Sequence, residues 1–183
     1  MPALPGVAQA LRLDETDSTQ TVARFLAEQG AADRTLVVAR RQTGGRGRMK
    51  RRWVSEEGGL YATLVLRPRL APSRLAEVSL LAGEAFAAAL ARHAGVETAV
   101  KPPNDVYAVC ADGRARKLCG ILCEATGGEA RVEWLLLGFG VNVNNKPPLA
   151  TSTGLRALTG REWDVDAVLA ACLRELWRRY EAL

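Results

Sequence analysis

The chain is 183 residues long, 48% hydrophobic and 25% charged, which suits one soluble globular domain with a full buried core. No apolar stretch approaches a membrane span, and Met1 to Ala10 lacks a basic segment ahead of an apolar run, so neither an anchor nor a secretory signal is expected. The net charge is only +5, yet Arg40 to Arg52 contains seven basic residues and no acidic one, so the positive charge is local.

Leu11 to Leu13 reads as a short strand, followed by the polar run Asp14-Glu15-Thr16-Asp17-Ser18-Thr19. Ser18 and Thr19 are good N-caps for a helix over Gln20 to Gln29 that stops at Gly30. The alternative is that their hydroxyl and N–H groups face a ligand. Thr35 to Arg40 is a buried, β-branched strand that delivers the basic stretch, and Leu60 to Leu66, ended with help from Pro68, receives it. Ser73 is expected to cap a helix running to about His93 and stopped by Gly95. Leu75, Val78, Ala82, Phe86, Leu90 and His93 share its buried stripe. His93 sits there as packing or as a partner of the helix C-terminal dipole, not as a catalyst.

Val96 to Lys101 reads as a strand running into the rigid corner Pro102-Pro103-Asn104-Asp105. Val106 to Cys110 and Lys117 to Glu124 are strands joined through a hairpin turn at Ala111-Asp112-Gly113-Arg114. Arg131 to Asn144 is another strand. Gly138 and Gly140 weaken it unless they mark a bulge or the close approach of a backbone or ligand. Asn145 to Gly160 reads as a loop, and Asp166 to Tyr180 as a final amphipathic helix. Clustered strands with helices at intervals predict an α/β (α+β-like) fold, a mixed β-sheet with helices packed against it, over a single domain 1–183.

Within Arg40 to Arg52, Gly44, Gly45 and Gly47 let backbone N–H groups approach a ligand closely, while arginine forks grip phosphate or carboxylate. That combination suits a loop that wraps a small anion; a solvated basic loop and a nucleic-acid patch are the other readings. The three Tyr and three Phe are not interleaved with the basic run as a stacking surface for single strands requires. Cys110, Cys119, Cys123 and Cys172 read as free thiols of a reducing, cytoplasmic setting. Cys119 and Cys123 share one strand face as small buried hydrophobes, with no second pair to complete a zinc site.

Four fragments stand at strand ends: Gly45-Arg46-Gly47-Arg48 with Trp53, Lys101 with Asn104-Asp105, Lys117 with Gly120 to Glu124, and Gly138-Phe139-Gly140-Val141-Asn142. Their order and spacing resemble the catalytic domain of biotin protein ligase, whose pattern is GRGRxxRxW, KWPND, KxxGIL-E and GxGxN. Asp17-Ser18-Thr19-Gln20 resembles the family's DSTN, and the likeness runs from about Leu11 to Leu183. It implies a core like that of class II aminoacyl-tRNA synthetases. It also implies a two-step reaction: biotin carboxylate attacks the α-phosphate of ATP, and a lysine of a biotin carboxyl carrier protein then takes biotin from biotinyl-5′-AMP.

Motif by motif, the resemblance makes Ser18, Thr19, Gln20, Gln42, Gly45, Arg46, Gly47, Arg48, Lys117, Gly138 and Gly140 the expected biotin contacts. Arg46, Arg48, Trp53, Lys101, Asn104 and Asn142 are expected at ATP, with Lys117 and Arg48 catalytic. Lys117 is a point charge between carboxylate and α-phosphate, or else simply an exposed strand lysine. Magnesium is expected with ATP, but no residue is assigned as a metal ligand. Pro102 departs from the family, which usually has Trp there. No helix-turn-helix precedes Leu11, which argues against specific DNA binding, and no β-barrel domain follows the last helix. A homodimer is compatible with the sequence. The rivals are a lipoate or octanoate ligase or transferase, and a non-catalytic module that holds biotin or biotinyl-AMP.

Overall fold

The computed structural model describes residues 4–128 and 130–182, the Lys50 side chain excepted. In chain order the elements are β1 (Gln9–Thr16), α1 (Thr19–Glu28), β2 (Thr35–Gln42), β3 (Leu60–Leu66) and α2 (Leu75–Ala94). They continue with β4 (Thr98–Lys101), β5 (Asp105–Val109), β6 (Ala115–Gly127), β7 (Val132–Val141), α3 (Leu155–Thr159) and α4 (Val165–Tyr180). The seven strands form one sheet in the order β1-β2-β3-β7-β6-β5-β4. Only β1 and β2 run parallel, with α1 as their crossover; every other neighbour is antiparallel.

The strands alternate between two unlike faces. Leu36, Leu60, Leu64, Leu66, Leu135, Leu137, Phe139, Cys119 and Ile121 point one way, where α2 and α4 cover them with Val78, Phe86, Leu90, Leu169, Leu173 and Leu176. Burying each such side chain is worth roughly 1.5–3 kcal/mol, so this larger layer carries most of the stability. On the other face α1 packs Ala23 and Ala27 on Val37, Val65, Trp134 and Leu136. The short α1 covers only one end of that face.

Most sequence-read elements stand within a few residues of their expected bounds. Gly95 closes α2 in the left-handed region (φ 67°), as the stop signal requires. Two expectations are corrected. Ser73 does not cap α2: it lies inside a single 3-10 turn, Pro72–Arg74, and the helix begins at Leu75 without a side-chain cap. The segment Asn145 to Gly160 is not all loop, because Leu155–Thr159 forms α3, anchored by the buried Leu155. His93 packs its ring 5.3 Å from that of Trp163. No helix among the described residues is long and apolar enough to cross a membrane.

Candidate active site

Along β7 the side chains on the α1 face shrink from Trp134 and Leu136 to Gly138 and Gly140. Gly140 lies directly opposite Gly120 of β6, so two glycines side by side leave a bare strip of sheet beyond the end of α1. A cavity of about 660 Å³ opens above it. The pairing of β7 with β3 is continuous from Leu60↔Val141 to Leu66↔Leu135, which rules out a bulge as the reason for the glycines. The reason is space. A methyl group at Gly140 would run into the Trp53 indole, one at Gly120 would come within 3.0 Å of the same ring, and one at Gly138 would collide with the Gln20 carboxamide.

The wall at the start of α1 is polar and almost dry. Ser18 is the N-cap, its hydroxyl accepting from Gln20 N–H at 3.3 Å, and both Ser18 and Thr19 also line the cavity. Thr19 N–H donates to Gln42 Oε1 at 2.8 Å, and Gln42 Nε2 donates to Ser55 at 2.8 Å. Behind them Thr19 Oγ1 meets Thr63 Oγ1 at 2.9 Å, and Thr63 donates to Gln20 Oε1 at 3.1 Å. Thr19, Gln20 and Thr63 are all less than 5% exposed. A buried network with every member bonded holds its geometry rigidly. Thr63 was not foreseen as part of the site. It reads as an ordinary β-branched strand residue until the pairing of β3 places it opposite Gly138.

The basic stretch forms a folded wall. Thr43 N–H and Gly44 N–H donate to Thr16 and Asp17 carbonyls at 2.9 and 2.7 Å, tying the loop to the turn before α1. Gly47 N–H bonds Arg51 O at 2.7 Å, and an Arg46–Arg52 bridge closes a small hairpin. Arg46, Gly47, Arg48, Arg51 and Arg52 line the cavity. Arg46 also donates to Thr21 at 2.8 Å, and Arg48 to Asn104 at 3.4 Å. Burial pushes the Asp17 carboxyl up, but donors from Ser18, Thr21 and Thr16 and the Arg46 charge hold it below the usual range. Gly45 stands apart from the other glycines of the loop. It is buried behind the loop, off the cavity, where a side chain would strike Trp53 O and Ser55 Oγ.

Lys117 rises from β6 on the far side. Its Nζ stands 2.7 Å from Asp105 Oδ1 and 5.2 Å from the centre of the Trp53 ring, and the side chain is only 26% exposed. It is therefore not a solvated strand lysine. Asp105 carries no mark of a role in the sequence, and its part emerges only from this contact. Trp53 Nε1 is buried without a hydrogen-bond partner among the described residues. Asn104 is fixed by donating to Ile121 O at 2.7 Å, and the Lys101 ammonium lies over the Tyr107 ring at 5.1 Å. Asn142, 2% exposed, accepts from Asn145 at 3.0 Å. Pro147 to Ser152 runs beside the start of β6, held by Lys117 N–H to Thr151 O at 2.9 Å, and closes the remaining side. Trp53, Lys101, Pro102, Asn104, Asp105 and Asn142 all face the same space.

Among the described residues no three His, Cys, Asp or Glu side chains come together as a metal site, and Asp105 is the one carboxylate lining the cavity. Cys119, Cys123 and Cys172 have their thiols pushed up by burial, the latter two to about 12, which keeps them protonated and inert.

A mixed sheet with a glycine-floored cleft, a dry amide–hydroxyl wall and a guanidinium-rich loop gives a site with a polar pocket at one end and positive charge at the other. The chain belongs to the Biotin/lipoate A/B protein ligase family, whose profile matches residues 13–142. It is 40% identical over 174 residues to the Bifunctional ligase/repressor BirA of Bacillus spizizenii, covering 91% of this chain and 52% of that protein. It is 38% identical over 137 residues to the Biotin–[acetyl-CoA-carboxylase] ligase of Paracoccus denitrificans, covering 74% of this chain and 55% of that one. The chain thus spans about half the length of these relatives. Among solved structures it is similar to the biotin protein ligase from Aquifex aeolicus in complex with biotin and ATP. The TM-score is 0.78 at 32% identity, over 95% of this chain and 71% of that one. The expected biotin-ligase core, of the class II synthetase type, is the fold observed.

Proposed function

We propose that the chain activates biotin with ATP to biotinyl-5′-AMP and passes biotin to a lysine of a biotin carboxyl carrier protein in the cytoplasm. The observation that carries this reading is convergence: the Ser18–Gln20 turn and all four basic and glycine-containing motifs meet around one cleft. The two cores on opposite faces of one sheet support residues 1–183 acting as a single catalytic unit.

The chemistry follows from the walls. Ser18 accepts from Gln20 N–H, which leaves its hydroxyl proton free to donate to the ring carbonyl of biotin. Thr19 beside it offers lone pairs to a ring N–H. The glycine strip at Gly138 and Gly140 admits a flat bicyclic ring. The carboxylate of biotin and the triphosphate repel each other, so the cost of bringing them together falls on fixed positive groups. Arg46, Arg48 and Lys117 supply those groups, and Lys117, held by Asp105, meets the charge that develops at the α-phosphate as the carboxylate oxygen attacks. Trp53, Lys101, Asn104 and Asn142 take the nucleotide. Magnesium comes with ATP, whose phosphates supply its oxygen ligands. Among the described residues the cleft's lone carboxylate is already engaged by Lys117.

Pyrophosphate release on mixing the chain with biotin, ATP and magnesium, followed by transfer of labelled biotin to a carrier domain, tests the proposal. Release with lipoate or octanoate instead of biotin would replace it with the lipoate-ligase reading. Tight biotin binding without pyrophosphate would leave a binding module.

A further inference from the structure

Glu124 does not line the cleft, and nothing in the reaction described above uses it. It lies on β6 opposite Leu136, on the α1 face of the sheet, where Arg24 of α1 donates to its Oε2 at 2.8 Å. The same oxygen receives Gln20 Nε2 at 3.1 Å. We propose that Glu124 is a positioning residue: through Gln20 it fixes the direction of the hydrogen bonds from Thr63 to Gln20 and from Thr19 to Thr63, and so makes Thr19 an acceptor that selects a ligand ring N–H. The inference rests on the biotin reading above.

The argument is one of proton counting. An ion-paired carboxylate only accepts, so the amide of Gln20 must turn its NH₂ toward Glu124 and its Oε1 toward Thr63. Thr63 has a single proton and is fully buried, and Gln20 Oε1 has no other donor, so that proton goes to Gln20. Thr63 Oγ1 must then accept from Thr19, which is 2.9 Å away, and the Thr19 proton is thereby used. It cannot also serve Gln42 Oε1 at 3.2 Å, which is already satisfied by the Thr19 backbone N–H. The reverse direction, Thr63 to Thr19 to Gln42, would leave Gln20 Oε1 without a donor in a dry site, the costlier arrangement. Thr19 Oγ1 therefore faces the cleft with lone pairs only. A ligand that offers N–H there is accepted, and one that offers a carbonyl or ether oxygen meets lone pair against lone pair. Polarity at the ligand is set by a carboxylate acting through three side chains, Gln20, Thr63 and Thr19.

Arg24 would hold the oxygen of a Glu124→Gln amide toward Gln20, so Glu124→Gln is made in an Arg24→Ala background, with Arg24→Ala alone as the reference. There the amide can donate as well as accept and no longer dictates how Gln20 lies. Calorimetry on the full chain with biotin, and with an analogue in which ring oxygen replaces one ureido N–H, reads the effect. The wild-type chain and Arg24→Ala should prefer biotin strongly. Adding Glu124→Gln to Arg24→Ala should narrow that preference roughly tenfold, the scale of one buried hydrogen bond turned the wrong way, with little change in melting temperature from the reference. Adding Gln20→Glu as well again places an accept-only group beside Thr63 and should restore the preference. A merely structural Glu124 would lower stability and leave the ratio between the two ligands unmoved. A ratio unchanged from Arg24→Ala on adding Glu124→Gln, or no recovery on adding Gln20→Glu, overturns the inference while biotin binding stands. Absence of biotin binding by the wild-type chain overturns the biotin reading and this inference with it.

Discussion

Replacing Lys117 by Ala should do more than delete one positive charge. Its ammonium stands 2.7 Å from Asp105 Oδ1, an oxygen buried in the cleft wall. Removing one charged donor that stabilises a transition state costs about a hundredfold to a thousandfold in rate. Here the unneutralised Asp105 carboxylate also remains, facing the place where carboxylate and triphosphate meet in the proposed reaction. A unit charge about 6 Å away at an effective dielectric of about 20 repels another by roughly 3 kcal/mol. Lys117→Ala should therefore slow adenylate formation by about a thousandfold or more. Adding Asp105→Asn to it should recover about tenfold, making the double variant faster than the single. Quenched single-turnover measurement of biotinyl-5′-AMP, made before any acceptor is added, isolates the step. The reasoning fails if Lys117→Ala forms adenylate at the normal rate and loses only transfer. It fails equally if removing Asp105 slows the Lys117→Ala variant further.

Arg48 stands on the exposed hairpin with only a 3.4 Å contact to Asn104, so Arg48→Gly should make adenylate but release it faster. Lysines of unrelated proteins added to the reaction should then become biotinylated, and a variant that labels only the carrier refutes the division of roles between Lys117 and Arg48. In Gly140→Ala the new methyl displaces the Trp53 indole, which can swing into the cleft; ATP-analogue affinity should drop roughly tenfold, at a stability cost of about 1–3 kcal/mol. Unchanged nucleotide affinity by calorimetry would remove Trp53 from the nucleotide end. Far from the cleft, hydrogen bonds from Arg178, opposed in part by burial, and from Arg92 and Arg179 hold the Glu175 carboxyl at about 2, below its usual 4.5. A depressed folded-state value stabilises the fold above about pH 4.5 and loses that contribution as pH falls toward 2. The stability gap between the wild type and Glu175→Gln, roughly 2 kcal/mol near neutrality, should therefore close in acid; urea melts at pH 7 and pH 3 that give the same gap would exclude it.

Period and punctuation made most of the fold legible. The buried strand Leu60–Leu66, the stripe of α2 and the Gly95 stop are local signals, and tertiary packing had no cause to override them. What failed was also local: Ser73 sits one residue after Pro72, and the proline favours a separate 3-10 turn over a capped helix start. The short α3 escaped because its five residues have too little periodicity to register; Leu155 holds it by burial, a tertiary fact. The site divides in the same way. Residues bearing charge or lacking a side chain, such as Arg46, Lys117 and Gly140, announce themselves in sequence because they are costly to place without a reason. Thr63, Asp105 and Glu124 carry no such mark, and at Gly45, which does, a side chain would strike Trp53 O and Ser55 Oγ. Their roles arise from register: Thr63 opposite Gly138, Asp105 opposite Gly120, and Glu124 opposite Leu136. One strand pairing places both the glycine strip and the side chains that polarise the groups around it. A one-residue slip of β6 against β7 would therefore turn Gly120 and Glu124 to the apolar face together, removing floor and polarity in a single step.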